Sequence, residues 1–72
     1  MSVGFRASQA VRARVREKGT TLAIECELIG CSVFTERNWR YNGHFPGGYH
    51  LLQMHLNGYD IIKILVGDKH EQ

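Results

Sequence analysis

The sequence is poor in the features that mark secreted and membrane-spanning proteins. It has two cysteines and one proline among 72 residues, and two cysteines are too few for a secreted disulfide framework. No apolar run approaches the ~20 residues that span a bilayer, and the N-terminus shows no signal-peptide core. Hydrophobic residues make up 43% of the chain and charged residues 22%, as in globular proteins. We therefore expect a soluble, intracellular protein.

Motifs for catalysis are missing as well. The four histidines are scattered, and the sequence has neither a glycine-rich phosphate loop nor a nucleophile–base spacing. A chain of this length buries only ~60% of its unfolded surface, so a partner subunit or a metal is a reasonable expectation. The sequence predicts one domain over residues 1–72 that is not an enzyme.

Helix-start and helix-stop residues divide the chain into five short segments. A serine, threonine or aspartate precedes most of them, and a glycine or an Asn-Gly pair follows them. We predict helices over about residues 8–18, 21–29, 32–40, 47–57 and 60–66, followed by a frayed polar tail over 68–72. Short connections between such helices predict a compact all-α bundle of four to five short helices.

The predicted helices have recognisable apolar faces. We expect the first helix to begin at Ser8, which can cap it, and to end at Gly19, with its arginines in solvent. The faces predicted on the first, fourth and fifth helices contain Phe5, Val11, Val15, Leu51, Leu52, His55, Leu56, Ile61, Ile64 and Leu65.

The second segment is ambiguous by periodicity alone. Leu22, Ile24 and Cys26 alternate as they would in a strand, whereas Leu22, Cys26 and Ile29 share one face of a helix. Gly30 follows in the position of a helix terminator, and this favours the helix.

Residues 26–39 meet the steric requirements of a helix-turn-helix. Cys26 is a small residue where the second helix would cross the first, and Gly30 tolerates the positive φ of the turn. Cys31 can plug the corner as a small hydrophobe, and Trp39 can lock the second helix to the core. We therefore assign Cys26, Gly30, Cys31 and Trp39 as the structural core of the motif.

A longer pattern continues in the same register without a gap. Glycine, a small residue and serine are followed by tryptophan nine positions after the glycine, and later by proline, glycine and an apolar segment that ends on glycine. From Gly30 to Gly67, about half of the chain, this resembles the helix-turn-helix domain of phage repressors of the lambda-repressor-like (Cro/repressor) class. The residues that carry the resemblance are Gly30, Cys31, Ser32, Trp39, Pro46, Gly58 and Ile64-Leu65-Val66-Gly67.

The resemblance implies a phage or prophage transcription regulator, repressor or Cro-like, that binds an inverted-repeat operator on double-stranded DNA as a homodimer. It implies a cytoplasmic, nucleoid-associated location in a bacterial host, with no cofactor, metal, small-molecule ligand or membrane contact. It also implies two sets of DNA contacts, to bases and to phosphates. The bases would be contacted by Ser32, Val33, Phe34, Arg37 and Asn38, and the phosphates by Thr20, Thr21, Arg40, Tyr41 and Asn42.

Among these residues, Arg37 is the best candidate for bidentate bonding to guanine, and Asn38 is a candidate for adenine. The last helix with the tail, or alternatively the N-terminal arm, would form the dimer contact.

The sequence departs from the family pattern inside the presented helix. Glu36 stands where the family has a core aliphatic residue, and Val33 and Phe34 stand where polar base-reading side chains are common. An alternative hypothesis is a helix-turn-helix fold repurposed for protein binding, such as an antirepressor or a phage inhibitor of a host protein. The acidic residues Glu25, Glu27 and Glu36 fit that alternative.

A small zinc-binding module is a lesser alternative. Cys26, Cys31, His44 and His50 have spacings within the limits of a two-cysteine, two-histidine zinc finger. That finger needs both histidines on one helix, and Pro46-Gly47-Gly48 lies between them. The sequence therefore favours the helix-turn-helix interpretation.

Overall fold

The computed structural model describes residues 2–67, which form five α-helices and no β-strand. Their bounds are α1 Val3–Lys18, α2 Leu22–Leu28, α3 Val33–Tyr41, α4 Gly48–Leu56 and α5 Ile61–Val66. The predicted all-α class is confirmed, and the bounds of α2 to α5 differ from the prediction by one residue at most. The Cα radius of gyration is 11.3 Å, close to the ~11 Å of a compact chain of this length. The tail predicted over 68–72 lies outside the described residues.

The prediction for the start of α1 was wrong. The helix begins at Val3, and the Ser2 side chain caps it by accepting a hydrogen bond of 3.0 Å from the Phe5 amide. Ser8 lies in the middle of the helix and is completely buried. Its hydroxyl donates to the carboxylate of Glu36, which is distant in sequence. Ser8 therefore bonds to another helix and does not cap α1. The predicted end at Gly19 is confirmed, with a φ of 64°.

The ambiguous second segment is helical. The Thr21 side chain caps α2 by accepting from the Ile24 amide at 3.2 Å. Cys26 and Ile29 are buried, Leu22 packs against the core, and Ile24 is exposed. The helical face identified in the sequence is therefore the buried face of α2.

The core gathers side chains from every helix around α1, which packs against α2, α3 and α5. On α4, Met54 enters the core, whereas Leu52, His55 and Leu56 are exposed, so the predicted face of α4 is not the buried one. On α5, Ile64 is buried as predicted, but Leu65 is exposed. The buried hydrophobic residues are Ala7, Val11, Cys26, Ile29, Trp39, Met54, Tyr59 and Ile64. None of the helices in residues 2–67 has both the length and the apolar character of a membrane span.

A buried ion pair joins α1 to α3. Arg12 donates to Glu36 through Nε at 2.8 Å and through Nη2 at 3.0 Å, and the Ser8 hydroxyl donates to the same carboxylate. Glu36 is 0% exposed, and the Arg12 side chain is 28% exposed. Burial alone raises the pKa of Glu36, but the hydrogen bonds from Arg12 and Ser8 and the charges of Arg12 and Arg40 outweigh it. The net effect holds the pKa of Glu36 below its ordinary value.

A second buried carboxylate, Glu25, connects α2 to the segment before α5. The Tyr59 hydroxyl donates to Glu25 Oε1 at 2.9 Å, and Lys18 Nζ lies 3.3 Å from Oε2. Burial and this hydrogen bond raise the pKa of Tyr59. The Arg14 guanidinium stacks 4.1 Å above the Tyr59 ring and donates to the Asn57 carbonyl at 2.8 Å.

The expectation that the arginines of α1 stay in solvent was therefore wrong for several of them. Arg12 and Arg14 are engaged as described above, and Arg6 donates to the Ile64 carbonyl at 2.7 Å and to the Leu65 carbonyl at 2.9 Å. Arg6 caps the last turn of α5, and Arg12 neutralises the buried carboxylate of Glu36. Composition alone does not separate them from solvated charges, because their partners lie on other helices.

Gly4 marks the closest approach of α1 to the segment that follows α3. A Cβ atom built on Gly4 would lie 2.1 Å from the His44 carbonyl oxygen and 2.7 Å from the Trp39 carbonyl oxygen. Both neighbours are backbone atoms, so no side-chain rotation relieves the overlap. Glycine is required here by space and not by backbone conformation.

We expect Gly4→Ala to lower the free energy of unfolding by roughly 2 kcal/mol or more, because overpacking outweighs the helix propensity gained. Urea unfolding followed by circular dichroism measures the effect. Gly48→Ala is the matched control: Gly48 begins α4, and its Cβ would meet open space. Equal stabilities of the two variants would contradict the close packing at Gly4.

We expect Glu36→Gln to destabilise the fold by roughly 3 kcal/mol at pH 7, near the lower end for breaking a buried ion pair, because Arg12 retains some contact with water. The folded-state pKa of Glu36 lies below the ordinary 4.5. Its stabilisation is therefore complete above pH 4.5 and is lost as the pH falls through the lowered value. The difference between the wild type and the variant should shrink below about pH 4 in urea unfolding.

The control for that pH series is Glu27→Gln, which removes an exposed carboxylate from α2. Its difference from the wild type should stay small across the same range, because exposed charges contribute little. A Glu36→Gln difference that is independent of pH would show that the ionised carboxylate does not stabilise the fold.

Candidate nucleic-acid interface

α3 has a buried side and an exposed side. Glu36 and Trp39 point into the molecule, where Trp39 is 2% exposed and meets the His50 ring edge-on with 5.5 Å between centroids. Phe34, Arg37 and Tyr41 are exposed and lie three and four positions apart, the spacing of one helical stripe. The structure therefore anchors α3 by one side and leaves a stripe of two aromatic residues and an arginine facing outward.

The turn before α3 fixes where the helix begins. Gly30 adopts a φ of 76°, and its amide donates to the Glu27 carbonyl at 3.1 Å. The Cys31 amide donates to the Cys26 carbonyl at 3.0 Å, and Ser32 caps α3 by accepting from the Thr35 amide at 3.0 Å. With these bonds the chain leaves α2 and enters α3 within four residues.

Arg37 lies at the centre of the exposed stripe. Its side chain is exposed and forms no hydrogen bond or ion pair with any of residues 2–67. A guanidinium carries five donors in a planar fork that matches the acceptor pair of a guanine or a phosphate. Arg37 is thus placed and available for such a contact.

Asn38 lies beside the stripe and is half-buried. Its side-chain oxygen accepts a hydrogen bond of 2.6 Å from the Asn42 amide group. A bidentate contact to adenine needs both the oxygen and the nitrogen of the asparagine. The bond from Asn42 uses one of the two lone pairs of the Asn38 side-chain oxygen.

The first turn of α3 contributes the other three residues predicted to contact bases. The Ser32 hydroxyl is occupied by capping and by a 3.0 Å hydrogen bond with Thr35 Oγ1. Val33 is half-buried and packs against the core. Phe34 is 73% exposed, so it is the apolar side chain that the first turn presents fully.

The residues predicted to contact phosphates fall into two groups. Arg40 is drawn towards α1, where its guanidinium lies 4.6 Å above the Phe5 ring and Nη1 donates to Ser8 Oγ at 3.2 Å. Thr21, Tyr41 and Asn42 are exposed, although the Thr21 hydroxyl accepts the capping bond of α2; Thr20 is half-buried. Arg40 therefore positions α3 against α1. Of the other four residues, Tyr41 belongs to the exposed stripe, and Thr21 and Asn42 are exposed outside it.

The surface around α3 is less acidic than the sequence indicates. Glu25 and Glu36 are completely buried and are paired with Lys18 and Arg12. Of the three acids between residues 20 and 36, Glu27 is the one that remains exposed. Each buried acid is neutralised by one cation of α1, so both charges of each pair are removed together. Arg37 then remains as an unpaired positive charge on α3.

The residues of the zinc alternative do not come together. No group of three or more histidine, cysteine, aspartate or glutamate side chains within the described part of the chain is close enough to hold a metal ion. His50 packs edge-on against the rings of Trp39 and Tyr49. The structure therefore does not assemble the Cys26, Cys31, His44 and His50 set.

Sequence reasoning missed the residues that position α3. Ser8, Arg12 and Phe5 on α1 all contact α3, through Glu36 or Arg40. A signal was present, since Ser8 and Arg12 are four residues apart on α1 and Glu36 occupies a position where the resembled family is apolar. Using that signal requires knowledge that α1 crosses α3.

Comparison with protein-family models, with curated proteins and with solved structures found no match to this chain. The features that bear on function are therefore the exposed stripe of α3 and the contacts that hold it.

Proposed function

We propose that the protein is a sequence-specific DNA-binding regulator of the phage repressor or Cro type. In this proposal α2, the turn at Gly30 and α3 form a helix-turn-helix, and α3 enters the major groove of double-stranded DNA. The protein binds an inverted repeat as a homodimer and acts by blocking access to a promoter. It needs no cofactor for this activity.

The observation that best supports the proposal is that the Arg37 side chain is exposed and unbonded on the outer side of α3. Arg6, Arg12, Arg14 and Arg40 are engaged with carbonyl groups, aromatic rings, a hydroxyl or a carboxylate. The side chains of Arg16 and Arg37 are exposed and make no hydrogen bond or ion pair within residues 2–67, and of these two Arg37 is the one on α3. The opposite side of its helix is fixed by Trp39 and Glu36. A free guanidinium on a rigid helix suits base recognition, because little conformational freedom of the backbone is lost on binding.

The arrangement of α2 and α3 supports the same proposal. Gly30 has the positive φ that the turn requires, and Cys26 and Trp39 are buried at the positions expected of the motif core. Glu36, which departs from the family pattern in residue type, is nevertheless fully buried, with Arg12 and Ser8 satisfying its charge. Glu36 therefore occupies the inward side of α3 despite its charge.

Dimerisation would supply affinity that a single domain with few base contacts lacks. Apolar side chains are exposed on α4 and α5, including Leu52 at 52%, Leu56 at 67% and Ile62 at 70%. Residues 3–7, which precede the predicted first helix, belong to α1. We therefore favour α4 and α5 for the contact between copies, with half-sites about one helical turn of DNA apart.

We expect Arg37→Ala to weaken binding to a selected operator by about 1–3 kcal/mol and to relax the preference at one base pair, because one bidentate contact is lost. Selection of bound duplexes from a random pool defines the operator, and titration of labelled duplex measures affinity. Arg16→Ala is the matched control: it removes the same charge from an exposed position on α1.

The control should lower affinity for operator and random duplex equally. If the two variants lose the same amount on both duplexes, α3 does not read bases. If the wild type shows no preference for any duplex over random DNA at moderate salt, the proposed function fails.

A second candidate function is protein binding through the same helix, as in an antirepressor or an inhibitor of a host protein. The observation that favours it is the exposure of Phe34 and Tyr41, at 73% and 67%, because large exposed aromatic residues are common at the centres of protein interfaces. The burial of Glu25 and Glu36 removes the acidic surface that the sequence offered in its support.

Salt dependence separates the two functions. A DNA reader should lose affinity for duplex steeply, by orders of magnitude, as salt rises from 50 mM to 200 mM when several phosphates are contacted. Phe34→Ala should then alter sequence preference and leave the salt slope unchanged, since Phe34 carries no charge. Negligible duplex affinity even at low salt would favour the protein-binding function.

A further inference from the structure

The turn between α2 and α3 brings the two cysteines of the chain together. The Cys31 amide donates to the Cys26 carbonyl and the Gly30 amide to the Glu27 carbonyl, with Gly30 in the left-handed region. These two hydrogen bonds define a Schellman motif. In this motif the residue that offers the first carbonyl and the residue that offers the last amide frequently bring their side chains into contact. In this chain both of those side chains are thiols, Cys26 and Cys31.

The backbone geometry is compatible with a disulfide. The Cys31 nitrogen lies 3.0 Å from the Cys26 oxygen. Adding the covalent distances from these atoms to their own Cα atoms limits the separation of the two Cα atoms to at most about 7 Å. Disulfides span Cα separations of about 4.4–6.8 Å, so the separation that this turn allows overlaps the range of a disulfide.

The two sulfurs differ in access. Cys26 is 1% exposed, whereas Cys31 is half-buried at the surface of the turn. The neighbouring Cys26 thiol, together with burial, raises the pKa of Cys31, so the turn brings the thiols close together and does not make Cys31 more acidic. A reagent can reach Cys31, and Cys26 can reach Cys31 from within the fold.

We infer that Cys26 and Cys31 form a redox modification site, which a peroxide closes into an intramolecular disulfide across the α2–α3 turn. This inference is independent of the proposed function, because it depends on the turn alone.

The chemistry balances with hydrogen peroxide as the oxidant. The Cys31 sulfur attacks one peroxide oxygen, the O–O bond breaks, and one water leaves, so that Cys31 becomes a sulfenic acid. The Cys26 sulfur then attacks the Cys31 sulfur, the S–O bond breaks, and a second water leaves. Two electrons pass from the thiols to the peroxide, and both thiol hydrogens leave in the water molecules.

The first test treats the folded, full-length chain with hydrogen peroxide, blocks remaining thiols with N-ethylmaleimide and measures the intact mass. We expect a species that has lost two hydrogen atoms, carries no label and recovers two labelled thiols after reduction. Disulfide-linked dimers, or sulfinic acid on Cys31 with Cys26 still free, would overturn the inference.

The second test asks whether the native turn favours the disulfide. The equilibrium with a glutathione redox buffer is measured in native buffer and again in urea. We expect the disulfide to be favoured at least about tenfold more in the native state, because the unfolded chain must close the loop from an open ensemble. An equal or smaller constant in native buffer would overturn the inference.

The matched control is the double variant Cys26→Ala with Glu27→Cys, which moves one thiol to the neighbouring, exposed position on α2. Circular dichroism checks that the variant is folded. In this variant the disulfide should no longer be favoured in native buffer over urea, although the new thiol has nearly the same spacing from Cys31 along the chain. A native preference as large as that of the wild type would show that spacing alone, and not the turn, brings the thiols together.

Discussion

The buried carboxylate of Glu36 is the interaction on which the rest of the structure depends. A charge taken out of water is tolerated only when partners satisfy it, and here Arg12 and Ser8 on α1 do so. These bonds fix the position of α3 along α1, because a shift by one residue would leave the carboxylate unpaired in the core. Arg40 strengthens the same contact by bonding to Ser8 and stacking on Phe5. The outward face of α3 follows from this attachment.

Burial of acids also shapes the outer surface. Glu36 and Glu25 are held by Arg12 and Lys18, so cations of α1 that look like a basic patch in the sequence serve the interior. Arg37 has no partner among residues 2–67 and remains available. Most of the arginines thus make contacts within the fold, whereas Arg37 is exposed at the centre of α3. The proposal of DNA recognition depends on this division.

The α2–α3 turn determines both where α3 begins and where the two thiols lie. Gly30 supplies the left-handed residue that ends α2 and allows Ser32 to cap α3 two residues later. The same hydrogen-bond pattern places Cys31 against Cys26. One local motif therefore positions both the stripe proposed to bind DNA and the dithiol proposed to be oxidised. Exposed apolar side chains of α4, such as Leu52 and Leu56, lie outside this unit and are the surface proposed for a contact between copies.

The sequence by itself determined the all-α class and the approximate bounds of α2 to α5, because caps such as Thr21, Ser32 and Asp60 and terminators such as Gly30 act within a few residues of themselves. It did not determine the start of α1, since Ser8 is a good local cap but has a tertiary partner. Which charges are buried, and which face of α4 points inward, was decided only by the tertiary structure. Arg12 and Glu36 are 24 positions apart, and Tyr59 and Glu25 are 34 positions apart. No local pattern in the sequence indicates such pairings.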